Sequence, residues 1–154
     1  MDRGSSFAEL LEAIAESVRG MKVVFPVHPR TAKTMRKVEA VRLDFPLVDP
    51  QTYLEFNYLV KHAKGLITDS GCITEETTVM GVPCTTLRTS TERPETVTMG
   101  TNELLGVDPK ALRPAIDRLF AVQWKRGQIP PLWDGKTVEC IVNVLSDWVR
   151  RRDA

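Results

Sequence analysis

Residues 66–76 read Leu66-Ile67-Thr68-Asp69-Ser70-Gly71-Cys72-Ile73-Thr74-Glu75-Glu76 and combine the signals of a strand, a tight turn and a helix start. An apolar run from Gly65 to Ile67 leads into a small polar turn, and the segment from Ile73 to Met80 favours a helix. Free backbone N–H groups and the positive end of the helix dipole converge at such a turn, so it favours an anion such as phosphate. A glycine allows a sharp turn and the close approach of a ligand. The stretch therefore predicts a strand–turn–helix unit with an anion site at the turn.

Short apolar runs and helix-like segments alternate on both sides of this stretch. Further strands are predicted at residues 22–27, 41–45, 47–48, 84–87 and 102–106. Helices are predicted at residues 6–18, 31–41, 50–63, 94–99, 109–122 and 137–150. This alternation is typical of βαβ units. We therefore expect an α/β fold, a Rossmann-like parallel sheet with helices on both faces, formed by residues 1–154 as one domain.

The composition is that of an ordinary globular protein. The 154 residues are 42% apolar and 27% charged, with a net charge of +1, so no nucleic-acid partner is expected. The odd set of widely spaced cysteines (Cys72, Cys84 and Cys140) favours reduced thiols in a cytoplasmic protein. No apolar stretch is long enough to span a membrane and no signal-peptide pattern is present, so no membrane partner is expected.

Ligands of open α/β sheets bind beyond the carboxyl ends of the strands. His28, the Asp69-Ser70-Gly71 turn and the loop at residues 88–95 are all expected at that edge. Within the loop, Arg93 is flanked by two glutamates. It could form a surface ion pair, or its guanidinium could grip a diphosphate bidentately. Its place before Pro94, beside the sheet edge, favours the second interpretation.

Other candidates leave alternatives open. Glu75 and Glu76 are expected in the first helical turn, either complementing the helix dipole or accepting hydrogen bonds from sugar hydroxyls. Phe56 has the spacing of a core residue, although it could stack on a base.

His62 is expected at a helix end, and neither histidine has a companion at metal-ligand spacing, so no metal is expected. The D-S-G string alone does not indicate an aspartic protease, because those proteins are all-β.

Further motifs follow one another in an order found in a known family. They are Thr68 to Glu76, Gly81-Val82-Pro83-Cys84, Leu87-Arg88, Thr91-Glu92-Arg93-Pro94-Glu95, Gly100-Thr101-Asn102, Leu105-Gly106, Val27-His28-Pro29-Arg30-Thr31, Asp49-Pro50-Gln51-Thr52-Tyr53 and Asp134-Gly135-Lys136. With these motifs the chain resembles, over nearly its whole length, the C-terminal half of non-hydrolysing UDP-N-acetylglucosamine 2-epimerases. The resemblance implies one half of a GT-B-like fold, in which two Rossmann-like domains enclose the active site and the C-terminal domain mainly holds UDP.

The resemblance also implies roles for individual residues. The backbone of Ser70, Gly71 and Cys72 would bind the diphosphate, with Arg93 paired to the phosphates and His28 nearby. The uridine would be held by three further side chains: the ribose by Glu76, and the uracil by Gln51 and Phe56. Relatives usually carry glycine at the position of Cys72 and glutamine at that of Thr74.

The family interconverts UDP-GlcNAc and UDP-ManNAc by eliminating UDP and adding it back to the other face of a glycal. No cofactor is implied. The resemblance implies that the family's N-terminal domain, with its groups for proton transfer, is not part of this chain. We therefore expect a UDP-sugar-binding domain, inactive alone, that acts in the cytoplasm in cell-envelope polysaccharide synthesis. The alternatives are a stand-alone binding or interaction module, which could pair with a separate N-terminal chain or form a homodimer, and the nucleotide domain of a GT-B glycosyltransferase.

Overall fold

The computed structural model describes residues 3–18, 20–35, 43 and 45–152. Its strands are β1 (Phe25–Pro26), β2 (Leu47–Val48), β3 (Leu66–Thr68), β4 (Cys84–Thr86) and β5 (Asn102–Leu104). Its helices are α1 (Arg3–Ser17), α2 (Pro29–Met35), α3 (Tyr53–His62), α4 (Gly71–Met80), α5 (Pro94–Thr98), α6 (Leu112–Phe120) and α7 (Thr137–Arg152). A 3-10 turn, Pro109–Ala111, precedes α6. No described helix is long and apolar enough to cross a membrane.

All strand pairs in these residues are parallel, which confirms the predicted α/β class. The strands β3, β4 and β5 form one sheet, with Thr68 opposite Thr86 and Thr86 opposite Leu104. The three strands therefore end level with one another, and the loops that follow them meet at one edge. The strands β1 and β2 form a separate parallel pair. One continuous sheet was predicted, but within the described part of the chain no ladder joins the pair to the other three strands.

The first strand is shorter than the apolar run that predicts it. Residues 22–27 were expected to be extended, and only Phe25 and Pro26 form the strand. Its partner β2 is equally short, so only two pairs of residues can form the ladder. Val24, just before the strand, is 48% exposed. The strand predicted at residues 41–45 and the end of the helix predicted at residues 31–41 lie largely outside the described residues.

The third helix begins at Tyr53, three residues later than the Asp49-Pro50 signal indicated. The start is set by Thr52, whose backbone N–H and hydroxyl both donate to the Glu55 carboxylate, at 3.0 and 2.7 Å. These two hydrogen bonds lower the pKa of Glu55 because they stabilise its charged form, with the hydroxyl having the larger effect and the backbone N–H the smaller one. His62 is the last residue of the helix, as expected.

The core around β4 is rich in hydroxyl groups. All three residues of β4 are buried, and its neighbours are largely polar. The buried polar side chains near this strand are Thr74, Thr77, Thr78, Thr85, Thr86, Thr96, Thr101 and Asn102. A Cβ atom at Gly100 would lie 2.6 Å from the backbone oxygen of Thr96. Only glycine therefore fits where the chain leaves α5 and enters β5.

The last helix, α7, is exposed and apolar, whereas the core around β4 is buried and polar. No residue of α7 is buried, although the helix carries a series of large apolar side chains. The exposed apolar residues are Val138, Ile141, Val142, Val144, Leu145, Trp148 and Val149. Several of them line an open cavity of about 300 Å³ with Leu132. The apolar face of α7 thus has no partner among the described residues.

Candidate functional site

The turn between β3 and α4 lies at the carboxyl edge of the three-stranded sheet. Ser70 is the N-cap residue of α4, with φ −88° and ψ 131°, but its side chain makes no capping hydrogen bond. Its own N–H donates to Oγ1 of Thr68 at 3.0 Å. Within the described part of the chain, the N–H groups of Gly71 and Cys72 have no protein acceptor. The first turn of α4 therefore presents open donors at the positive end of the helix dipole.

Gly71 lies close to the loop after β4 and has no positive φ angle. The described glycines with positive φ are Gly20, Gly81, Gly106 and Gly135, so the expectation that Gly71 makes a glycine-specific sharp turn is wrong. A Cβ atom at Gly71 would instead lie 3.3 Å from Oε2 of Glu92 and 3.6 Å from Nη1 of Arg88. The loop after β4 thus covers the start of α4, and a larger residue at 71 would crowd this contact.

Arg93 lies at the end of the same loop and reaches α4. Its Nε donates to Oε1 of Glu75 at 2.7 Å, with the two side chains 49% and 36% exposed. At such exposure the ion pair contributes about 0–1 kcal/mol to stability. A weaker bond of 3.4 Å joins Nη1 to the carbonyl oxygen of Glu92. The remaining guanidinium nitrogen, Nη2, has no hydrogen-bond partner in the described residues, so the guanidinium keeps capacity for an anion.

The two glutamates of α4 occupy different environments. Both were predicted in the first helical turn, but that prediction is wrong because the helix begins at Gly71, two residues earlier than expected. No acidic residue lies in the first turn, so dipole complementarity does not account for Glu75 or Glu76. Glu75 binds Arg93. Glu76 is half-buried and makes no ion pair or side-chain hydrogen bond within the described part of the chain.

Cys72 fits its position without backbone strain. It is the second residue of α4 and is exposed. The described non-glycine residues with positive φ are Val122 and Leu132. The position where the resembling family usually carries glycine therefore accepts a cysteine here. By contrast Cys84 is buried in β4, and desolvation raises the pKa of its thiol to about 11.

The remaining candidates lie on other elements. His28 follows β1 and is exposed, with Nδ1 accepting a hydrogen bond from the N–H of Arg30 at 3.3 Å. Gln51 follows β2, and its Nε2 donates to the carbonyl oxygen of Asp49 at 2.7 Å. Phe56 is half-buried in α3, which packs on α4. His28 and Gln51 thus lie at the carboxyl ends of β1 and β2, and Phe56 lies on the next helix. No hydrogen bond of these side chains in the described residues links them to Gly71 or Arg93.

Sequence reasoning assigned no role to two threonines that hold the backbone of Arg93. The N–H of Arg93 donates to Oγ1 of Thr91 at 3.0 Å. Its carbonyl oxygen accepts the hydroxyl of Thr96 at 2.8 Å. The first contact is a threonine turn, which a Thr-x-Arg-Pro string before a helix indicates. The second depends on Thr96 being buried, which no local pattern reveals.

No group of three or more histidine, cysteine, aspartate or glutamate side chains in the described residues could hold a metal ion. The groups at or near the turn are backbone N–H groups, the guanidinium groups of Arg88 and Arg93, and carboxylates. This combination suits an anionic ligand that also carries hydroxyl groups, because the first two favour negative charge and a carboxylate accepts hydroxyl hydrogen bonds.

Comparisons with known proteins find relatives that share one description. The family model for UDP-N-acetylglucosamine 2-epimerase matches residues 1–146. A UDP-N-acetylglucosamine 2-epimerase from Methanococcus maripaludis is 35% identical over 149 residues, which is 89% of this chain and 40% of that protein. The crystal structure of the Methanocaldococcus jannaschii enzyme in complex with UDP-GlcNAc and UDP superimposes with a TM-score of 0.78 and 33% identity, covering 94% of this chain and 41% of that one. For the Neisseria meningitidis enzyme bound to UDP-GlcNAc, the TM-score is 0.76 and the identity 27%, over 93% of this chain and 41% of that one.

The fold thus defines an α/β protein of the kind seen in these solved UDP-GlcNAc 2-epimerases. The chain belongs to the UDP-N-acetylglucosamine 2-epimerase family, as its motifs predicted. It spans about 40% of the length of the curated relatives that it matches.

Proposed function

We propose that this chain is the UDP-binding C-terminal domain of a UDP-N-acetylglucosamine 2-epimerase and is inactive alone. The observation that carries the proposal is the uncapped start of α4, where the N–H groups of Gly71 and Cys72 are open and Arg93, bonded to Glu75 of the same helix, retains a free guanidinium nitrogen. Two solved relatives with the same fold are bound to UDP-GlcNAc, which supports the same ligand class for this chain.

The diphosphate is proposed to bind at the first turn of α4. Gly71 and Cys72 donate their backbone N–H groups, and Arg93 contributes its Nη2 edge while Glu75 holds Nε. The N–H of Ser70 is engaged by Thr68, so Ser70 serves mainly as the N-cap that exposes the next two donors. Charge-assisted hydrogen bonds of this kind are the stronger ones in proteins.

The uridine is proposed to extend from the diphosphate towards the second pair of strands. Glu76 accepts hydrogen bonds from the ribose hydroxyls, a role supported by its having no protein partner in the described residues. Gln51 and Phe56 line the uracil pocket, and His28 lies near the phosphates. Gln51 and His28 follow β2 and β1 at the carboxyl ends of that pair, the side on which α/β sheets bind ligands.

In the family reaction UDP is the leaving group and is added back to the other face of the sugar. Donors that are already placed for the diphosphate stabilise charge as the bond to UDP breaks, so holding the leaving group is itself a catalytic contribution. The groups that move protons are proposed to belong to the part of the relatives' length that this chain does not span. The complete enzyme would supply UDP-ManNAc in the cytoplasm for cell-envelope polysaccharides.

The exposed apolar face of α7 supports a polypeptide partner. A contiguous apolar surface of this kind marks an interaction site in soluble proteins. We assign it to the rest of the full-length protein, since this chain covers only about 40% of its relatives. Self-association of two copies through α7 is the competing outcome. Sedimentation of this chain across a range of concentrations distinguishes the two alternatives. A homodimer would form from this chain alone, whereas a different partner would leave it monomeric.

Thiol labelling tests the diphosphate assignment. Saturating UDP is expected to slow modification of Cys72 by about tenfold or more. If UDP occupies about nine tenths of the sites, only about one tenth of the Cys72 thiols are free to react at any time. Cys140 on α7 is also exposed and should react at an unchanged rate. Cys84 should react slowly with or without UDP, because burial raises its pKa to about 11. The rates are read by mass spectrometry of the labelled peptides; a Cys72 rate that UDP leaves unchanged would contradict the assignment.

A further inference from the structure

A directional series of buried hydrogen bonds ends at Arg93. Oγ1 of Thr86 on β4 donates to Oδ1 of Asn102 on β5 at 2.6 Å. Nδ2 of Asn102 donates to Oγ1 of Thr96 on α5 at 3.3 Å. The Thr96 hydroxyl in turn donates to the carbonyl oxygen of Arg93 at 2.8 Å. Each of these side chains thus donates a hydrogen bond to the next residue, and the series runs from the centre of the sheet to the N-cap of α5.

These three side chains are inaccessible to water. Asn102 and Thr96 have no exposed surface, and Thr86 is 1% exposed. Removing the Thr96 hydroxyl would leave the buried Nδ2 of Asn102 without its acceptor, which costs more than an exposed hydrogen bond contributes. The series is therefore able to fix the distance and orientation between the sheet and the residue on which it ends.

Arg93 depends on such support. It is the N-cap of a helix of 5 residues, with φ −126° and ψ 68°, which is neither helical nor extended backbone. Its carbonyl oxygen also accepts the Thr96 backbone N–H at 3.1 Å, so Thr96 binds it twice. A short helix has few hydrogen bonds of its own to hold its first residue. The direction of the Arg93 side chain therefore follows the position that Thr96 gives to its backbone.

We propose that Thr96 and Asn102 are positioning residues that hold Arg93 in place for the diphosphate. They act through the Arg93 carbonyl and do not touch the ligand. The inference rests on the proposed function in one respect, since it takes Arg93 to be a diphosphate ligand. Other buried hydroxyls are different: Thr77 and Thr78 both donate to the carbonyl oxygen of Thr74 within α4.

The test compares Thr96→Val with Thr96→Ser. Valine keeps the shape but removes the hydroxyl, and it should weaken UDP binding by about tenfold, the equivalent of losing one buried hydrogen bond that positions a charged ligand group. Serine keeps the hydroxyl and should restore UDP affinity to within about threefold of the unaltered chain. Thr77→Val is the matched control, because it removes an equally buried hydroxyl. It should lower the unfolding temperature without changing UDP affinity.

A second readout does not need UDP. The Nε–H of Arg93, identified in NMR spectra by its absence from Arg93→Lys, is bonded to Glu75 and should shift or broaden in Thr96→Val but not in Thr77→Val. An unchanged Nε–H signal in Thr96→Val would overturn the inference whatever UDP does. If Thr77→Val weakened UDP binding as much as Thr96→Val, the effect would be general destabilisation and the inference would fail. A shifted signal in a chain that binds no UDP would support the positioning of Arg93 and overturn the proposed function instead.

Discussion

Replacing Arg93 with alanine is expected to weaken UDP binding by about 2–5 kcal/mol, or roughly 30- to several-thousand-fold. The change removes the guanidinium that Glu75 of α4 holds at the end of the loop after β4, while the Arg88 guanidinium near Gly71 remains. The fold should tolerate the change, because the Arg93–Glu75 pair is half exposed and contributes only about 0–1 kcal/mol to stability. Calorimetric titration with UDP measures the loss, and thermal unfolding followed by circular dichroism checks the fold.

Arg113→Ala is the matched control for this prediction. Arg113 also forms an exposed ion pair, with Nε 2.9 Å from Oδ1 of Asp117, but it lies on α6. Its replacement removes one positive charge and one ion pair, as at Arg93, without removing a group from the turn. We expect unchanged UDP affinity for this variant. An Arg93→Ala variant that binds UDP as tightly as Arg113→Ala would refute the role of Arg93.

The second large effect concerns turnover. The chain alone should produce no UDP-ManNAc from UDP-GlcNAc. A chimera that carries the N-terminal portion of a full-length relative, such as the Methanococcus maripaludis protein, ahead of this chain should turn over. The expected difference is several orders of magnitude, because positioned acid–base groups and a closed site supply most of an enzyme's rate enhancement. Clear turnover by the chain alone would contradict the proposal that it is inactive alone.

The chimera also tests the apolar face of α7. Ile141→Asp places a charge on a residue that is 51% exposed in this chain, so the isolated chain should still fold. In the chimera the same charge would be buried against the partner and should greatly lower turnover. Ser146→Asp, at an exposed polar position of the same helix, should not. Equal turnover in both variants would show that the apolar face has another role.

The parts of the fold that local signals control were predictable. The β3–turn–α4 unit follows from an apolar run, small polar residues and a helix-prone segment in succession. The helix at Pro94 follows from the preference of proline for a first turn. Helix boundaries and strand lengths were less predictable: α4 starts two residues early and β1 is shortened because its ladder is limited by β2. The separation of β1 and β2 from the other strands depends on packing that no local pattern encodes.

The candidate site was predictable as a set of residue types but not as a set of contacts. Arg93 was singled out with both alternatives open, and the structure shows the ion pair together with a guanidinium nitrogen still available. Its partner, Glu75, lies 18 positions away on another helix, so no local spacing could identify the pair. The link from Asn102 through Thr96 depends on their complete burial in a tertiary contact. The periodicity of α7 predicted an apolar face but could not tell that it would have no partner here.

Calorimetric titration of the unaltered chain with UDP, UMP and uridine tests the central claim most directly. If the open turn of α4 and Arg93 hold a diphosphate, UDP should bind at one site per chain. UMP should bind more weakly, and uridine should give no measurable heat at the same concentrations, because each phosphate removed takes away charge-assisted hydrogen bonds. Absence of UDP binding, or uridine binding as tightly as UDP, would contradict the claim that this chain is the diphosphate-holding half of the enzyme.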